Sequence, residues 1–177
     1  REWPTVVIGK DTRQSGDMFE SAISAGLNSK GIDVRLAGVV PTPAVAMLVR
    51  ETGAAFGVVI SASHNPFGDN GIKFFGPDGY KLTDEMELEI ERRVLADPVA
   101  AKDGTIGRTG FLEKASERYV DFVRASVGDD RDLLRGLTIA LDCANGASYE
   151  TSEAILRSLG ATVKAFHHHP NGININE

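Results

Sequence analysis

The sequence predicts an α/β protein, and three observations carry that expectation. Short β-rich runs alternate along the chain with segments whose apolar residues recur at helical spacing. One run, Ala55 to Ile60, is almost wholly apolar, as a strand buried on both faces requires. A charged hinge, Gly128 to Asp132, precedes a second start of the same strand–loop–helix rhythm.

Taken in order, Thr5 to Gly9 reads as a strand and Asp11 to Gly16 as a polar loop. Phe19, Ile23 and Leu27 then fall at i, i+4 and i+8, which predicts a helix with one apolar face, stopped by Gly31. Val34 to Val40 is the second strand. Pro41-Thr42-Pro43 opens a second helix, because N–H groups in a first turn lack helical partners; it carries Val45, Leu48 and Val49 inward and ends at Gly53. Ala55 to Ile60 is the third strand and Ile72 to Phe75 a short fourth. The run Glu85 to Leu95 fits either period. Thr83 as N-cap, Asp84 and Glu85 in the first turn and the poor strand preference of Glu favour a helix. Pro98, Gly104, Gly107 and Gly110 mark residues 97–112 for extended or irregular backbone. Glu113 to Val127 is a helix with Ala115, Tyr119, Phe122 and Val123 on one side. Beyond the hinge come a strand at Leu137 to Leu141, a helix at about 148–159 and a strand from Thr162 to Phe166. A domain boundary is expected near residue 130, dividing the chain into 1–130 and 131–177. A half-built second sheet exposes an edge, so disorder or aggregation is expected past about residue 130.

Bulk composition narrows the function classes. Of 177 residues, 42% are apolar and 25% charged, which suffices for a sizeable core. A net charge of −6 argues against non-specific nucleic-acid binding and requires that an anionic substrate be met by a local basic cluster. No apolar run reaches the roughly 18 residues of a membrane span. The single cysteine, Cys143, excludes an internal disulfide and fits a reducing, cytoplasmic setting. Neither end reads as a natural terminus: Arg1 leads into a strand, and Glu177 follows a polar Pro-Asn-Gly turn.

The chemistry concentrates at Ile60-Ser61-Ala62-Ser63-His64-Asn65-Pro66, followed by Asp69-Asn70-Gly71-Ile72-Lys73. In an open α/β sheet, ligands sit beyond the carboxyl ends of strands. Ser63 is placed there as a candidate nucleophile, with its backbone held by the Asn65-Pro66 turn. The flanking glycines of an acyl-transfer elbow are missing. A phosphoryl reading wants positive donors near the serine, and His64 and Lys73 supply them. The plainer alternative is a Ser-His-Asn-Pro turn whose hydroxyl caps a backbone N–H. Arg13, in the loop after the first strand, offers a forked donor for phosphate, although the Walker spacing is absent. Asp129 to Asp132 invites a Mg²⁺ site but reads as a solvated linker. His167-His168-His169 could share an ion only through His167 and His169, since neighbours on a strand point to opposite faces. Cys143 reads as a small buried residue.

Together these residues resemble the α-D-phosphohexomutase family. The run from Ile60 to Pro66 through Asp69 to Phe75, then Asp78-Gly79-Tyr80-Lys81-Leu82, carries the resemblance. Gly9 to Gly16, Pro41 to Pro43, Asp142 to Ala147 and Pro170 to Asn176 support it. The resemblance implies a three-layer α/β/α domain, with a mixed sheet between helices, plus the start of a second similar domain. It implies that Ser63 is a phosphoserine, that His64 and Lys73 are its catalytic neighbours with Lys73 a general acid or base, and that Arg13 lies near the loop. The implied reaction moves phosphate between the 6- and 1-positions of a hexose through a 1,6-bisphosphate. The implied cofactor is Mg²⁺, bound through an oxygen of the Ser63 phosphate. The wording of the two loops favours a hexosamine phosphate as substrate, with mannose or glucose phosphates on the same scaffold as the alternative. A non-catalytic phosphosugar-binding module is a further reading. A homodimer is compatible with the sequence. The family's Asp-Gly-Asp-x-Asp-Arg metal loop is absent from these 177 residues, so residues 1–177 alone are expected to be inactive.

Overall fold

The computed structural model describes residues 4–96 and 105–177. Among them, five strands form one mixed sheet in the order β4-β3-β1-β2-β5. These are β1 (Thr5–Lys10), β2 (Asp33–Val39), β3 (Phe56–Ile60), β4 (Ile72–Phe75) and β5 (Thr109–Phe111). β1 is central and parallel to both β2 and β3, while β4 closes one edge antiparallel to β3.

Alternation along the strands decides which helix lies where. Val6, Ile8, Val34, Val58 and Ile60 face one layer, formed by Phe19, Ile23 and Leu27 of α1 (Gly16–Asn28). Val7 and Val59 face the other, where Val45, Leu48 and Val49 of α2 (Thr42–Thr52) pack with Ala115 and Tyr119 of α4 (Ala115–Ala125). β1 and β3 are thus buried on both faces, as the apolar run of the third strand predicts. Each fully buried Val, Leu or Ile contributes about 1.5–3 kcal/mol relative to exposure. The sheet and α2 approach so closely that only glycine fits between them. A Cβ on Gly9 would lie 2.5 Å from Val45 Cγ2, and one on Gly57 2.6 Å from Val49 Cγ2.

The ambiguous run resolves as a helix, α3 (Asp84–Leu95), and the Thr83 side chain accepts from the Met86 N–H at 3.4 Å. Residues 97–104 of the glycine-rich stretch lie outside the described residues. Farther on, Thr109–Phe111 is extended and adds β5 to the edge of the sheet, parallel to β2. Phe122, expected inward, is 53% exposed, because α4 turns only Ala115 and Tyr119 toward the core.

After the hinge, β6 (Thr138–Asp142), α5 (Tyr149–Ser158) and β7 (Thr162–Phe166) form a β-α-β unit with its own two-stranded parallel sheet. Disorder past residue 130, expected from the open edge, is not what the structure shows. The unit is tied back by Thr12 Oγ1 donating to the Asn145 carbonyl at 2.5 Å and by the Gln14 N–H donating to the Gly172 carbonyl at 2.9 Å. Gly172 is required at that contact. Its φ is +94°, and a Cβ would lie 2.9 Å from Gln14 Cβ. No helix among the described residues is long and apolar enough to cross a membrane.

Candidate active site

Because β1 and β3 run parallel side by side, the loops leaving their carboxyl ends are neighbours. The Asp11 N–H donates to the Ile60 carbonyl at 3.0 Å, and the Ser61 N–H to the Gly71 carbonyl at 2.8 Å, which continues the β3–β4 pairing by one step. The chain then tightens. Ser63 takes a left-handed φ of 57°, unusual for a residue with a Cβ, and its N–H donates to Ser61 Oγ at 3.1 Å. The Asn65 N–H donates to the Ala62 carbonyl at 3.2 Å, and Asn65 Nδ2 to Asp69 Oδ2 at 3.0 Å. Ser15 Oγ donates to Asn70 Oδ1. The serine is therefore carried at the apex of a cross-braced loop.

Arg13 is the largest brace. It is 4% exposed, forms an ion pair with the equally buried Asp11, and donates through Nη2 to the carbonyls of Asn65 at 2.6 Å and Ser63 at 3.3 Å. Its Nε is buried without a hydrogen-bond partner among the described residues. Sequence alone suggests a guanidinium free to fork around a phosphate. Here both Nη groups are taken by protein acceptors, so any effect on a phosphate would act through charge and through the loop it holds.

His64 Nδ1 lies 3.4 Å from Ser63 Oγ, a long contact in an exposed position. Lys73 sits in β4 opposite Val59, half-buried, and has no ion-pair partner among the described residues. It does not border the cleft beside Ser63. The structure thus brings Arg13, Ser63 and His64 together and leaves Lys73 on the neighbouring edge strand.

That cleft, about 370 Å³, has one wall from Ser61, Ser63 and His64 and one from Ala144, Gly146 and Ser148 of the second unit. Pro41 and Thr42 at the start of α2 and Ser148 at the start of α5 both border it. Helix starts expose unpaired N–H groups and a positive dipole end, which favours an anion between them. The contribution of residues 144–148 and of Asn176 escapes a reading of the sequence. Only the Asp-Cys-Ala-Asn-Gly run marks this segment, and nothing local says which loop it faces.

The other tempting clusters are structural. His167 Nδ1 lies 3.0 Å from Asp142 Oδ1, and the Ala144 N–H donates to the same oxygen at 2.9 Å. The Ala144 N–H, and after it His167, hold the Asp142 carboxyl below the ordinary aspartate value. His168 faces Glu153 at 3.5 Å and packs its ring 4.1 Å from that of His169. Asp132 pairs with Arg135 at 2.7 Å on the surface. Cys143 is buried beneath Tyr149, and burial pushes its thiol pKa up. No group of three or more His, Cys, Asp or Glu able to hold a metal ion occurs among the described residues.

Comparison with known proteins bears on the family and the fold. A family profile described as Phosphoglucomutase/phosphomannomutase, alpha/beta/alpha domain I, matches residues 1–99. The chain is 52% identical over 174 residues to a phosphoglucosamine mutase of Desulforamulus reducens and 56% identical over 173 residues to one of Agrobacterium fabrum, covering 97% of this chain in each case. It spans 38% of the length of those curated relatives. Among solved structures, a phosphoglucomutase/phosphomannomutase family protein of Burkholderia thailandensis superposes with a TM-score of 0.80 at 23% identity, over 96% of this chain and 37% of its own. A structure from Thermus thermophilus gives the same TM-score of 0.80 at 30% identity, over 98% of this chain and 39% of its own.

Proposed function

The chain belongs to the phosphoglucomutase/phosphomannomutase family, and from that premise we propose that it is the phosphoserine-bearing part of a phosphoglucosamine mutase. The observation that carries this is the braced loop. Ser63 stands at a cleft between two helix starts, with its own carbonyl and that of Asn65 held by a buried arginine. A plain surface turn does not call for a buried ion pair beneath it. We further propose a division near residue 130 into a first domain and the opening of a second, a hexosamine phosphate as substrate and a cytoplasmic location.

In this reading Ser63 carries the phosphoryl group. The P–O bond to Ser63 Oγ breaks as a new one forms to the 1-hydroxyl of glucosamine 6-phosphate, whose proton passes to a base while Ser63 Oγ takes up a proton. The resulting 1,6-bisphosphate turns over in the cleft. Its 6-phosphoryl group then returns to Ser63 Oγ, which gives up its proton, while O6 takes one up. Lys73 and His64 are the titratable candidates for these proton movements, with Lys73 favoured as general acid or base. The loop holds Oγ in one place in both half-reactions, so little reorganisation is needed at the reacting atom. An oxygen of a phosphate on Ser63 would be one donor to Mg²⁺, and no group of three or more His, Cys, Asp or Glu able to hold a metal ion occurs among the described residues. They do not make a metal site by themselves.

The deciding experiment uses the complete protein with Mg²⁺ and a trace of glucosamine 1,6-bisphosphate. It compares kcat/KM on glucosamine 6-phosphate with that on mannose and glucose 6-phosphates. Preference for the amino sugar supports a mutase that feeds amino-sugar, and hence cell-wall precursor, synthesis. Preference for mannose or glucose keeps Ser63 chemistry and overturns the substrate. Sugar binding with no phosphate on Ser63 by phosphopeptide mapping overturns the enzyme reading in favour of a binding module.

A further inference from the structure

The last residues described reach back to the nucleophile. Asn176 Nδ2 donates to the carbonyl of His64 at 2.9 Å, across 112 residues of chain, and the Asn176 N–H donates to the Ala144 carbonyl at 2.7 Å. Asn176 is anchored by Ile175, which is 6% exposed, and by a second asparagine. Asn145 is 5% exposed and joins three segments. Its N–H donates to the His167 carbonyl at 2.6 Å, its Nδ2 to the Asn174 carbonyl at 3.0 Å, and its Oδ1 accepts from the His169 N–H at 3.2 Å. Its own carbonyl accepts from Thr12 Oγ1 in the loop before Arg13. The segment from Ser63 to Asn65 is thus gripped from both sides, by Arg13 at the Ser63 and Asn65 carbonyls and by Asn176 at the His64 carbonyl between them.

We propose that Asn176 is a positioning residue for the Ser63–His64 loop, so that the second β-α-β unit, knotted at Asn145, sets the orientation of the phosphate carrier. Three successive carbonyls, of Ser63, His64 and Asn65, are each held by a side chain from elsewhere in the sequence. Arg13 holds the carbonyls of the 63–64 and 65–66 peptides, so the 64–65 peptide between them is the one it leaves free to turn, and the Asn176 bond to the His64 carbonyl holds that one. The kinetic half of this proposal rests on the mutase reading above; the structural half does not.

The test is Asn176→Gly in the complete protein. Asn176 has a φ of 60°, which glycine adopts without strain, so the change removes the donor and little else. Hydrogen exchange of the amides of residues 61–69 is expected to quicken roughly two- to tenfold, the range of one lost hydrogen bond. On glucosamine 6-phosphate, kcat is expected to fall at least as much, with KM within about twofold, as for an interaction made chiefly in the transition state. Asn171→Gly is the control, since Asn171 Oδ1 caps the Ile173 N–H within the same tail. It should leave loop exchange unchanged. Unchanged exchange in Asn176→Gly, unchanged kcat, or an equal effect from Asn171→Gly each overturns the proposal. If the parent protein turns over no hexosamine phosphate, the mutase reading falls and the exchange comparison alone decides the clamp.

Discussion

Nη2 of Arg13 lies 2.6 Å from the carbonyl oxygen of Asn65, which makes a buried guanidinium the support of the turn that carries Ser63. The same guanidinium neutralises Asp11, so one residue serves both the interior charge balance and the loop.

Removing that support should cost stability as well as turnover. Arg13→Ala strands the Asp11 carboxylate at 4% exposure, and unfolding by urea should show a loss of about 3–5 kcal/mol, the usual result of breaking a buried pair. Arg13→Lys keeps the charge but not the planar fork that reaches Asp11, Ser63 and Asn65 together, and it should recover stability better than kcat. Equal recovery of both would contradict the bracing role.

Ser63→Ala and Ser63→Gly should both lower kcat by several orders of magnitude, as loss of a covalent carrier does. They should differ in stability. Alanine at a φ of 57° is strained by about 1–2 kcal/mol, whereas glycine is not, so Ser63→Gly should melt higher. Identical melting temperatures would mean that the loop relaxes out of the left-handed conformation.

Gly9→Ala places a methyl 2.5 Å from Val45 Cγ2 and 2.8 Å from Val40 Cγ2, both on buried side chains. Overpacking of this kind costs about 1–3 kcal/mol. Because Gly9 precedes the Asp11–Arg13 loop by only two residues, kcat should fall with it. Denaturation and kinetics on the same preparation check both expectations.

Much of this fold was legible. The β-rich run at Thr5 to Gly9 marks a strand, and the i, i+4, i+8 row of Phe19, Ile23 and Leu27 marks a helix face; that Val7 turns to one layer and Val6 and Ile8 to the other is seen only in the structure. β5 was visible only as extended backbone, because Thr-Gly-Phe is too short to show alternation and its pairing partner lies in β2. At the site, Ser63 and its neighbours stand out as a local run. The burial of Arg13 and the approach of Asn145 and Asn176 do not, since both depend on contacts between segments far apart in sequence. Asparagine-rich tails usually read as turns, and nothing in Asn-Gly-Ile-Asn-Ile-Asn says which carbonyl it will reach.

The Asp142–His167 pair should be readable by titration. The folded Asp142 carboxyl lies below its unfolded value, so the stability it contributes is present above the ordinary aspartate pKa of about 3.9 and is lost as the pH falls through the lower folded value. Replacing His167 by Gln should raise the Asp142 pKa only part of the way, because the Ala144 N–H, the larger cause, remains. A full return to the ordinary value would show that the imidazole, not the backbone, holds the carboxylate.

The 112 residues between His64 and Asn176 also have a meaning in time. β1, β2 and β3 are complete by Ile60, so the centre of the sheet can assemble once Ile60 has left the ribosome. At roughly 5–20 residues per second, the residue that grips the His64 carbonyl is made on the order of 6–20 s later. For that interval the Ser63 loop would have Arg13 and its local hydrogen bonds but not the Asn176 contact. Ser63 is thus made early, and its last long-range contact comes late.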